Sequence, residues 1–157
     1  MNDRNPPRRL PVYAALWGGL IAVAVLTSAV LAQNSVTNSG VQARMTTMAD
    51  ARAAVEILAD MMGGRIRFDS TKARAARKDL VAATRSIPSV FRKPHGDPLS
   101  RARPDIWMRW DDFKTRAHAA ERAARRLNTG RLGALRSTLP DVIRACLGCH
   151  KVYRIPQ

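Results

Sequence analysis

The only two cysteines of this 157-residue chain fall within its last twelve residues, in the run Cys146-Leu147-Gly148-Cys149-His150. Thiols three positions apart lie about one turn apart on a helix, and a histidine follows directly. C-x-x-C-H is the arrangement that attaches a c-type haem. The thiols add across the two vinyl groups, and the adjacent imidazole sits under the iron as proximal ligand. Other uses of the pair are weaker. A structural zinc site wants four ligands, and the other histidines, His95 and His118, are not paired with a cysteine. A redox dithiol belongs at a strand-to-helix junction in a βαβ setting, and no strand pattern is present. A disulfide between these positions has poor geometry on a helix. Covalent haem is the leading reading, with zinc and thiol redox as the alternatives.

The opposite end points to export. Met1 to Arg9 is polar and basic, and Val12 to Ala32 is almost wholly apolar. Val30-Leu31-Ala32 before Gln33 places small residues where a signal peptidase cuts. Residues 1–32 therefore read as a signal peptide, or as a retained N-terminal membrane anchor, since the 21 residues from Val12 to Ala32 are long enough to span a bilayer. Arg8 and Arg9 would hold the N-terminus in the cytoplasm. Either way the remainder is exported to the periplasm, where bacteria attach c-type haem.

Three of the 27 basic and one of the 12 acidic residues precede residue 33, which leaves 24 against 11, a formal +13. Such a balance favours an anionic partner. Nucleic acid is a poor candidate for an exported chain without an aromatic-plus-basic stacking motif. An acidic redox partner protein fits better, and membrane contact is expected only through the possible anchor. A solvated Arg-rich surface is the plain alternative.

The rest reads as helix. Residues 33–40 form a polar linker. Val41, Met45, Met48, Val55, Leu58 and Met62 recur near helical spacing in a first helix, which Gly63-Gly64 stops. A second helix runs from Asp69 or Ser70 to Arg85. Pro88, Pro94, Pro98 and Pro104 predict a long irregular connection from Ile87 to Asp105. A third helix begins near Asp105 and carries Ile106, Trp110, Phe113, Ala117, Ala120, Ala124 and Leu127 on one face, ending at Asn128-Thr129-Gly130. The fourth spans Arg131 to about Tyr153, and Pro140 should kink or restart it. The expected fold is all-α: an antiparallel four-helix bundle over residues 41–157 with covalently attached haem near the C-terminus.

With its haem motif on the last of four helices, the chain resembles the cytochrome c prime family. Arg44 followed four residues later by Met48 is similar to the family's first-helix pattern. Ala102-Arg103-Pro104-Asp105-Ile106-Trp107, then Phe113-Lys114, resembles its entry to the third helix. Cys146 to His150 with Tyr153-Arg154 resembles its C-terminal signature. The similarity covers about residues 41–154 and is least specific in the second helix and the proline-rich loop.

The resemblance implies one haem c on Cys146 and Cys149, with His150 as proximal iron ligand and Met48 facing the distal side. In members with a bulky apolar distal residue the iron is five-coordinate and binds gases such as NO or CO. In the low-spin cytochrome c-556 type a methionine there ligates the iron. Met48 therefore suggests the second type, an electron carrier with His/Met axial ligation and no enzymatic activity; the gas-binding protein is the alternative. Met45 is the nearest rival ligand. Arg44 is a candidate donor fork for a haem propionate. Arg154 is expected one turn beyond His150 on the same helix face. A homodimer through the first two helices is a further implication of the resemblance.

Overall fold

The computed structural model describes residues 36–156. The signal peptide or anchor expected over residues 1–32, and the first part of the linker, lie outside the described residues. Those described form five helices: α1 Ser39–Gly63, α2 Ser70–Val90, α3 Asp105–Met108, α4 Trp110–Arg126 and α5 Leu132–Tyr153. Among them no helix is long and apolar enough to cross a membrane. The four long helices make an antiparallel bundle, and α3 is a single turn leading into α4. The antiparallel sense shows in cross-helix pairs. Arg77 of α2 donates to the Arg125 carbonyl of α4 (2.5 Å), while Arg85, two turns later, meets Glu121, one turn earlier (3.3 Å).

Side-chain caps start the first two helices. The Asn38 side chain accepts from the amides of Gly40 and Val41 (3.0 and 3.2 Å), and Asp69 from those of Thr71 and Lys72 (2.8 and 3.0 Å). Gly64 closes α1 in the left-handed conformation (φ 77°), which only glycine adopts without strain.

Three element boundaries differ from expectation. α2 runs on through Pro88 to Val90 rather than ending at Arg85. Pro88 removes one amide donor near the helix end, and Phe91 N still donates to Ile87 O (3.2 Å). The third helix is broken at Arg109 (φ −122°, ψ 49°), so Ile106 and Trp107 sit on a separate turn from Phe113. α5 passes through Pro140 as one helix. An interior proline costs about 3 kcal/mol. Leu135, Leu139 and Val142, fully buried on either side of it, each return about 1.5–3 kcal/mol by burial, which outweighs the break.

Four surface carboxylates titrate low. The Lys72 and Leu99 amides hold Asp69 and Asp97 below the ordinary carboxylate range, and Arg116 and Arg125 do the same for Asp112 and Glu121. Their folded-state pKa values lie below the unfolded ones, so this stabilisation is present above about pH 4 and disappears as pH falls through the folded values. Thermal melts at descending pH should show these four carboxylates lowering the midpoint below about pH 4.

Candidate functional site

The bundle core has two halves. One is aliphatic, built on Leu58, Met61, Leu80, Leu135, Leu139 and Val142, with Cys146 packed at its edge. The other is aromatic, formed by Ile87, Phe91, Ile106, Phe113, Ala117 and Tyr153, with Met48, Trp107, Trp110 and Cys149 packed against it. The C-x-x-C-H run thus sits on α5 where the two halves meet. Phe113 is central to the aromatic half. Its ring lies 5.2 Å from Phe91, stacks on Trp110 at 5.5 Å and meets the edge of Tyr153 at 5.3 Å, separations at which aromatic pairs attract.

Both thiols are free and half-buried. Burial raises the pKa of Cys146 and pushes Cys149 up to about 11, with Arg116 opposing the shift. A redox dithiol needs the opposite, a thiolate stabilised near neutral pH. Among the described residues no three His, Cys, Asp or Glu side chains gather where they could hold a metal ion, so the zinc reading lacks its ligands. Two thiols one turn apart and a half-buried imidazole, set against an apolar wall, fit a haem. Burial, and then the nearby Arg154 charge, lowers the pKa of His150. This favours the neutral imidazole that binds iron.

Met48 lies on α1 against the same aromatic half that receives Cys149. Met45 is 46% exposed and points away from the core. The spacing of α1 also concealed part of its buried face, where Arg44, Thr47 and Met61 take core positions.

Arg44 does something other than expected. It is 2% exposed, and its guanidinium donates to Val90 O (3.1 Å), to His95 O (2.9 Å) and to Lys93 O. It also lies over the rings of Phe91 (5.1 Å) and Trp107 (4.9 Å). Its donor fork ties α1 to the 90–95 loop rather than standing ready for a propionate. Trp107 Nε1 donates to Phe91 O (2.8 Å) and closes the same clamp. His95 packs its ring so close to Gly40 that a Cβ there would collide with it. An Arg44→Met substitution leaves three loop carbonyls without their charged donor. It should cost about 3 kcal/mol, measurable as a lower thermal midpoint.

Arg154 also departs from expectation. The helix ends at Tyr153, and Arg154 is extended, bridged to Ala102 in a short antiparallel contact. Arg103 N donates to Tyr153 O (3.0 Å) and Ile155 N to Arg101 O (2.9 Å). The clasp fastens the chain end to the segment before α3. Asp112 and Arg116, unnoticed in the sequence, reach the motif from α4. Their i,i+4 spacing was visible, but nothing local tied it to residues more than thirty positions away.

A family model described as Cytochrome C' matches residues 39–154. Among solved structures the chain is similar to cytochrome c' from Rhodobacter spheriodes, at 25% identity and TM-score 0.70, over 75% of this chain and 96% of that one. It is similar to a nitric oxide complex of a cytochrome c prime variant from Alcaligenes xylosoxidans, at 24% identity and TM-score 0.67, over 74% and 94%. It is also similar to cytochrome c' from Thermochromatium tepidum, at 23% identity and TM-score 0.66, over 74% and 95%. No curated protein matches. These structures are cytochromes c prime and lend nothing to the low-spin c-556 subtype that Met48 suggested. The haem-attachment pair on the last helix of a four-helix bundle, matched from the start of α1 to Arg154, places the chain in the cytochrome c prime family, whose members carry one covalent haem c.

Proposed function

We propose that this chain is an exported gas-binding cytochrome c prime, with His150 as proximal ligand and Met48 covering the distal side. One observation carries the reading: Met48 from α1 and Cys149 from α5 border the same apolar cluster. When bound, the haem supplies an iron whose sixth position accepts a small neutral ligand. Ile87, Phe91, Ile106, Phe113 and Ala117 exclude water from that side of the bundle. Such a wall favours an uncharged diatomic over ions and larger polar molecules. Solved relatives include a nitric oxide complex and a carbon monoxide complex of variants of the Alcaligenes xylosoxidans protein, which supports the same reading.

A second reading keeps Met48 as a sixth ligand and the protein as an electron carrier for an acidic periplasmic partner. It is favoured by the Met48 thioether, which among the described residues is the one methionine sulfur packed at the aromatic half, and by the basic surface. A homodimer would use the outer groove of α1 and α2, about 510 Å³, where Ala53, Ala54, Ala82 and Ala83 leave room for close helix approach. Absorption spectra of the ferric and ferrous protein, with and without CO, separate the two readings. Rapid CO binding to a high-spin ferrous protein is expected. A sharp low-spin α-band in the reduced protein, with slow CO binding, supports the electron carrier instead.

A further inference from the structure

The haem-attachment turn is gripped from the side by one carboxylate on α4. Asp112 Oδ2 accepts from the Tyr153 hydroxyl (2.5 Å) and from Arg116 Nε (2.7 Å). Arg116 Nη1 reaches on to Gly148 O (3.4 Å), inside the C-x-x-C-H run. Tyr153 is 3% exposed, its ring edge set against Phe113 (5.3 Å) with the Arg109 guanidinium over its face (5.4 Å). Gly148 and Tyr153 flank His150, so both sides of the proximal histidine converge on Asp112. A rotation of the last turn of α5 that swung the imidazole would stretch both arms.

We propose that Asp112 is a positioning residue for the proximal histidine, acting through Tyr153 on one side and Arg116 on the other. Hydrogen bonds behind a metal ligand set the orientation of its ring. Here that task falls to the backbone and flanking side chains of the ligand's own turn rather than to its free nitrogen. The proposal rests on haem attachment with His150 beneath the iron, and not on what Met48 does.

Three variants of the haem-loaded protein test it. Asp112→Asn keeps the side-chain size and one acceptor but removes the charge that draws in Arg116. Tyr153→Phe removes only the hydroxyl and keeps the ring packing. Glu121→Gln is the control: it removes a carboxylate hub on the same helix whose partners are Arg85 (3.3 Å), Arg125 (2.8 Å) and His118 (3.6 Å) rather than residues of the motif. Proton NMR of the ferric proteins reads the hyperfine-shifted haem-methyl resonances, whose spread follows the axial imidazole plane in either spin state. Asp112→Asn and Tyr153→Phe should change that spread in the same sense, Asp112→Asn more, while Glu121→Gln keeps the wild-type pattern. A wild-type pattern in both Asp112→Asn and Tyr153→Phe, or an equal change in Glu121→Gln, overturns the proposal even if thermal midpoints fall. If Asp112→Asn does not fold, the Tyr153→Phe spectrum decides. The gas-binding reading fails separately, in the CO spectrum of the wild type.

Discussion

Replacing Cys146 and Cys149 together with alanine abolishes covalent haem and, with it, stable folding. The substitutions themselves are small. Each removes one sulfur from a half-buried position, at a cost near 1 kcal/mol. The rest of the expected loss comes from the cofactor. A group that binds only the folded state adds its binding free energy to stability, about 4 kcal/mol when saturating by a thousandfold, and covalent attachment makes it permanent. The attachment point touches both core halves, since Cys146 borders the aliphatic one and Cys149 the aromatic one. Denaturing electrophoresis with haem staining reads the attachment, and calorimetry reads the fold. A cooperative melt near the wild-type midpoint would show that the bundle stands without haem.

Shrinking Met48 to alanine raises the CO affinity of the ferrous protein by about tenfold. Forcing extra volume into a packed interior costs about 1–3 kcal/mol. A ligand entering beneath Met48 meets that cost, and removing the side chain returns it. Tenfold corresponds to about 1.4 kcal/mol. Met48→Leu is the informative companion because it keeps the volume and discards the sulfur. If Met48 acts only as a cover, Met48→Leu retains the wild-type spectrum and CO affinity. If its thioether is the sixth ligand, Met48→Leu turns a low-spin iron high-spin and lowers the reduction potential. CO titrations and absorption spectra of both variants separate these outcomes.

Local rules made the helices, their caps and the haem motif legible in the sequence. Asp69 was legible as a start of the second helix because capping depends on residues two or three positions apart, whereas Asn38 stood inside the polar linker. The C-x-x-C-H run was legible because covalent attachment happens within five residues. Proline effects were overestimated at Pro88 and Pro140. Local propensity opposes helix there, while burial of Leu135, Leu139 and Val142 is a tertiary quantity. Arg44 shows the same limit from the other side. An arginine on a helix reads as solvated or as a ligand for an anion; only the fold brings the carbonyls of Val90, Lys93 and His95 around it. The clasp of Ala102 on Arg154 and the grip of Asp112 on Tyr153 join positions 41 to 52 residues apart. The sequence by itself determined which two thiols can attach haem and where the long helices lie, because both depend on neighbours along the chain. The tertiary structure decided which methionine faces the aromatic half and what holds the proximal turn. Those depend on how helices distant in sequence pack together.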